Sequence, residues 1–193
     1  MEAEPVMSGD AQRLLRRNAT AIHAAFAALW FVRGALTTHG AAAVALASAA
    51  AAPVAIACVT WKATGPIAAR TVMRSDEGRA LFRPVTWMTT AQLVLSVLLP
   101  WWAAASGRED WVLASIALTI GLLLIGLARP LAVPTVAVVG AAIVVVAVTL
   151  PLPLAADELA ATMSSALGVL LTSSVVSLMA TSFRRDRIGV APG

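Results

Sequence analysis

Few side chains in this sequence are equipped for chemistry, and the most conspicuous is Arg33, alone in the apolar run "AALWFVRGALTTHG". A guanidinium in such a run needs a counter-charge, a headgroup or a bound anion. Three carboxylates could reach it from other segments: Asp110 after "SGRE", and Asp157 and Glu158 in "PLPLAADE". Arg33 lies about 14 residues into its segment, or roughly 21 Å up a hydrocarbon core ~30 Å thick. Helical side chains lean toward their own N-terminus, here away from the nearer surface. Exposure to lipid costs at least ~2.5–3.5 kcal/mol. The expectation is therefore an ion pair or hydrogen-bond network from Arg33 to Asp110, Asp157 or Glu158, closing one end of a helical bundle. Anion binding and lipid-facing snorkelling are the competing readings.

Gln92 and the hydroxyls of "TMSSALGVLLTSSVVSLMATS" are the other polar groups in apolar surroundings. Ser173, Ser177 and Thr181 recur every four residues and share one helical face. In lipid such hydroxyls bond the carbonyl one turn back, or they line a polar cavity with Gln92 across it. Gln92 thus joins Arg33, Asp110, Asp157 and Glu158 as a candidate intramembrane polar cluster. His23 and His39 come without clustered metal ligands and His23 reads as packing, so no metal is expected. Cys58 is the single cysteine. It excludes an intramolecular disulfide and reads as a small buried hydrophobe. The sequence has no Gly-rich phosphate loop, no H-E-x-x-H, no G-x-S-x-G and no intramembrane carboxylate. The expectation is a protein that is not an enzyme and holds no cofactor.

The elements that position these residues follow from composition. Of 193 residues, 60% are hydrophobic and 12% charged, with mean hydropathy +0.86. Soluble domains carry about 25% charged residues. So little charge cannot cover a water-facing surface, and lipid must be the solvent for most of the chain. Six stretches approach spanning length, at 19–38, 41–61, 85–105, 111–128, 131–151 and 159–182. The fold expected is all-α: a polytopic membrane protein built as a compact bundle of six transmembrane helices. Its parts are an N-terminal tail (1–18), one transmembrane domain (19–182) and a C-terminal tail (183–193).

Orientation follows from the basic residues. With six spans, one side collects Arg13, Arg16, Arg17, Lys62, Arg70, Arg74, Arg79, Arg83, Arg129, Arg184, Arg185 and Arg187, while the other has Arg108 alone. Both termini are therefore expected in the cytoplasm, in the inner (plasma) membrane. A signal-peptide reading of the first segment would invert this bias. The pI of about 11.0 then reflects topology-setting charge, with anionic headgroups at the cytoplasmic face as partners and no nucleic acid. Between spans two and three, "SDEGRALFRP" reads as a short amphipathic interfacial helix. Ser75 would be its N-cap, Asp76 and Glu77 would sit in its first turn, and Arg70, Arg74, Arg79 and Arg83 would contact lipid headgroups. Pro53 should kink the second span.

The stretch "GREDWVLASIALTIGLLLIGLARPL" (107–131) resembles a segment of small uncharacterised bacterial multi-pass integral membrane proteins, in Asp110 and Gly121. Ser115 and Leu123 stand where that family is expected to carry a proline and a histidine. The resemblance implies a multi-pass bundle and no particular chemistry. The function expected is a membrane-embedded binding or assembly protein without turnover, with a homo-oligomer or a membrane partner. A small-solute transporter or channel is the alternative.

Overall fold

The computed structural model describes residues 9–188, with side chains at all of them except 156–157 and 184–188. Among the described residues the chain is all-helical. It comprises α1 (Asp10–Thr37), α2 (Gly40–Ala49), α3 (Ala51–Ala63), α4 (Ala69–Arg74), α5 (Asp76–Ala105), α6 (Asp110–Leu131), α7 (Pro134–Thr149) and α8 (Ala156–Ile188). Five lengths are long and apolar enough to cross a membrane: α1, α2 with α3 taken together, α5, α6, and Glu158–Phe183 of α8. The stretch expected as a fifth span over 131–151 forms α7, a helix of 16 residues. At 1.5 Å per residue that is about 24 Å, short of a ~30 Å core. The cause is local. Ala132 takes the left-handed conformation (φ 51°) and ends α6. Pro134 then starts α7 in its first turn, where a missing N–H is harmless.

Other boundaries also differ from expectation. Helix α1 begins at Asp10, within the stretch read as the N-terminal tail, and α8 continues past 182 to Ile188. Residues 1–8 and 189–193 of the expected tails lie outside the described residues. The early turns of α1 are held because Ala11 and Leu14 bury against Val72, with Ile67, Leu81 and Phe82 around them. Ser75 caps a helix as expected, its Oγ accepting from the Gly78 N–H at 3.0 Å. That helix does not stop at Pro84. It is α5, running unbroken through Pro84 and Pro100, because a proline in a membrane helix forfeits one donor without ending it. The separate short helix between the second and third long units is α4. Near Pro53 the second long unit is interrupted at Ala50, where α2 gives way to α3, next to Ala49, whose carbonyl a proline four residues on leaves without its helical donor.

Four helices make the centre. α1 and α8 run antiparallel, with His23 opposite Ser174, Phe31 against Gly168 and Gly34 against Ser164. α6 and α7 approach at two glycines. A Cβ on Gly121 would lie 2.8 Å from the Gly140 carbonyl oxygen, and one on Gly140 only 2.6 Å from that of Gly121. Leu124, Ile143, Met163, Leu167 and Leu171 fill the space among the four. α5 packs chiefly on α6, and α2–α3 on α1 and α8. These two outer units are 6% buried against 44% for α1 and α6, so they are peripheral. The contact of Leu14 with Val72 and a bond from Arg16 to Leu131 gather the start of α1, the α3–α5 connection and the end of α6 at one end. That end holds most of the arginines and is here termed the basic end.

Two outcomes follow for stability. Gly121→Leu or Gly140→Leu should cost about 1–3 kcal/mol through overpacking, seen as a lower Tm in detergent. Ala132→Gly should gain roughly 0.4–1 kcal/mol by relieving the left-handed alanine; a loss would show that the turn is otherwise constrained.

Candidate functional site

Arg33 is exposed on α1, in line with Ile22, Phe26, Leu29 and Leu36, which are also exposed. These residues follow each other at steps of three or four and form the outward stripe of the helix. Its guanidinium carbon lies 6.0 Å from the Trp30 ring centroid, the outer limit of a cation–π contact. Among the described residues Arg33 makes no ion pair with Asp110 or Glu158, which are both exposed; the Asp157 side chain, the third expected partner, lies outside the described residues. The reason is helical phase, since the buried face of α1 carries Arg16, Thr20, His23, Ala27 and Gly34 instead.

Gln92 does not face α8 either. Its Nε2 donates to Ser96 Oγ at 3.3 Å, and Ser96 lies 2.8 Å from Thr119 Oγ1. Thr119 donates in turn to the Ile116 carbonyl at 2.8 Å, so the order of donors runs from α5 into α6. The α8 hydroxyls of Ser165, Thr172, Ser173, Ser177, Thr181 and Ser182 donate to carbonyls four residues back, at 2.8–3.1 Å. Each needs no partner from another helix. Cys58 is exposed on the outer side of α3, a correction to the buried position expected of it. Among the described residues no group of three or more His, Cys, Asp or Glu converges on a metal position.

Besides the Ser96–Thr119 pair, polar groups that join helices lie along one line of α1. Arg16 (4% exposed), Thr20 (1%) and His23 (5%) are buried, as is Ser174 (0%) on α8. Arg16 Nε donates to the Leu131 carbonyl at 2.8 Å. Leu131 is the last residue of α6, where carbonyls lack helical partners and the helix dipole is negative. Thr20 Oγ1 donates to the Arg16 carbonyl at 2.8 Å. His23 Nδ1 and Ser174 Oγ are 2.9 Å apart. Arg17 stacks 4.1 Å above the Trp61 ring and reaches the Gly65 carbonyl, tying α1 to the end of α3. The steps from 16 to 20 to 23 were readable as one face. Arg16 and Arg17 instead look like topology-setting charges in "RLLRRN", and that hides their packing role.

At the basic end Arg70, Arg74, Arg79 and Arg83 are all exposed. Arg79 pairs with Asp76 at 2.6 Å and donates to the Arg74 carbonyl. So exposed a pair is worth little, and phosphates can compete for it.

The described residues also form concave surfaces. A groove of about 860 Å³ lies over α8 between α2 and α7, lined in part by Ala42, Leu46, Val146, Thr162 and Ser165. Val169 also lines a second hollow, of about 450 Å³, with Phe31, Thr172 and Ser173. A third cleft, of about 290 Å³, lies between α5, α6 and α7. Comparisons with protein-family models, curated proteins and solved structures give no match. The likeness over residues 107–131 therefore stands on those residues alone.

The pairing of His23 with Ser174 is testable by a double-mutant cycle on thermal unfolding of His23→Ala, Ser174→Ala and the double. A coupling of about 0.6–1.7 kcal/mol is expected; strict additivity would remove the bond from the account. In the same assay Arg33→Ala should change stability by less than about 0.5 kcal/mol, as for an exposed residue.

Proposed function

We propose that the chain is an inner-membrane protein with six spans and both termini cytoplasmic, and that it works by binding or assembling with membrane partners, without turnover. The observation carrying this reading is how interior polarity is spent. Arg16, His23, Ser96 and Thr119 are engaged with neighbouring helices, while a groove of about 860 Å³ opens sideways over α8. A lateral opening faces lipid and other membrane helices. Its small residues suit close helix approach.

Six spans are favoured because α7 sits between α6 and α8, both long enough to cross. A 24 Å helix is accommodated by local thinning at modest cost. The basic end then lies at the cytoplasmic leaflet, where Arg70, Arg74 and Arg83 meet anionic headgroups, worth about 1 kcal/mol each. This use of the basic charge is with lipid, not nucleic acid.

Topology is tested by thiol labelling in a Cys58→Ala background. His39→Cys and Ala155→Cys should label in intact cells, and Arg74→Cys and Arg129→Cys only after permeabilisation; the reverse pattern would overturn the orientation. Alkaline carbonate should leave the protein in the membrane pellet. Assembly is tested by crosslinking from Ser173→Cys in native membranes. One or two adducts of defined mass are expected, and solute uptake into reconstituted vesicles with no such adduct would favour a carrier instead.

A further inference from the structure

We infer that the cleft between α5, α6 and α7, at the end of the bundle opposite the basic end, holds an aminophospholipid. Its phosphate would sit on Arg108, its ammonium group on Glu109 and Asp110, and one acyl chain in the cleft.

The cleft exists because its walls are short where three helices meet. Ala103 of α5, Ala114 of α6 and Ala147 of α7 are buried to within 1–2%, and the space left above them, about 290 Å³, is walled by Leu99 and Leu118. The mouth is different in character. Trp102, Trp111 and Arg108 line it, two indoles and a guanidinium at the level where a bilayer places its headgroups. Indole rings present an apolar body to the chain and an N–H to the polar layer.

The position of Arg108 is fixed by its backbone. The Arg108 N–H donates to the Ala103 carbonyl at 2.9 Å and the Gly107 N–H to that of Ala104 at 3.0 Å, with Gly107 at φ 71°. This is the paired closure of a helix C-terminus that needs a left-handed residue after the cap. The Arg108 side chain thus leaves the chain beside the cleft, anchored to a residue of its floor. It is exposed, as are Glu109 and Asp110.

Charge selects the headgroup. One cation next to two carboxylates complements a zwitterion, not an anion. A guanidinium donates to phosphate through a rigid fork, while a primary ammonium has three donors for the flanking carboxylates. A quaternary ammonium has none, and an anionic headgroup meets Glu109 and Asp110 with the wrong sign. The basic end has the opposite preference, so the two lipid surfaces of the molecule are distinguishable by headgroup.

This inference rests on the membrane-embedded reading, whose own failure would appear as release by carbonate. The site is tested on intact protein in detergent, by the Tm shift on titration with dioctanoyl phosphatidylethanolamine, phosphatidylcholine or phosphatidylglycerol. Phosphatidylethanolamine should half-saturate at the lowest concentration. Arg108→Gln should raise that concentration about fivefold, the equivalent of one basic contact to a lipid surface. The pair Glu109→Gln with Asp110→Asn should erase the preference over phosphatidylglycerol, and Ser115→Leu, which fills the cleft, should abolish the shift. Ile22→Ala, on the exposed stripe of α1, should leave it unchanged. Equal shifts for all three lipids with wild-type protein, an unchanged titration for Arg108→Gln, or a shift reproduced by glycerol 3-phosphate without chains would each overturn the proposal.

Discussion

Lipid offers no hydrogen bonds, so every polar group carried into the bundle must find its partner there. The face of α1 that bears Arg16, Thr20 and His23 meets this constraint, and much of the architecture follows. Arg16 Nε is met by the end of α6 and His23 by α8, whereas one terminal nitrogen of Arg16, Trp30 Nε1 and Ser164 Oγ are buried without a hydrogen-bond partner among the described residues. Those two bonds fix the rotation of α1 between its neighbours. With that face turned inward, Ile22, Phe26, Leu29 and Arg33 are turned outward together. The position of Arg33 is thus a consequence of where Arg16 and His23 point.

The second constraint is steric. α6 and α7 meet at Gly121 and Gly140, and α1 meets α8 at Gly34 and Gly168. Close approach there lets dispersion, not hydrophobic burial, hold the centre, as it must when the solvent is as apolar as the core. α5 and α2–α3 lack such close contacts over most of their length and remain peripheral. Their loose packing leaves the concave surfaces beside α8 and between α5, α6 and α7. The same feature that weakens the outer helices therefore gives the molecule places to bind.

Much of this was legible in the sequence, for physical reasons. Apolar length marks the long helices, and Ser75 announces a helix start because its side chain competes for the backbone donors there. Pro53 lies just beyond the turn at Ala50 that divides the second long unit, whereas Pro84 and Pro100 leave α5 unbroken. Partner choice was less legible. Periodicity assigns residues to a face but does not say which face points inward: Arg33 lies on the exposed stripe of α1, and Gln92, expected across from α8, bonds Ser96 on its own helix. Arg16 was hidden by its sequence context, since a buried arginine that satisfies a helix end looks the same in a string of letters as a topology-setting one. The length of α7 was missed because an alanine gives no warning that it will adopt a left-handed turn.

The central claim is that α1 presents its polar face to α8 and its Arg33 stripe to lipid. The most direct measurement is oxidative crosslinking of cysteine pairs in native membranes, in a Cys58→Ala background. His23→Cys with Ser174→Cys should form an intramolecular disulfide, and Arg33→Cys with Glu158→Cys should not. Efficient crosslinking of the second pair with none of the first would contradict the account.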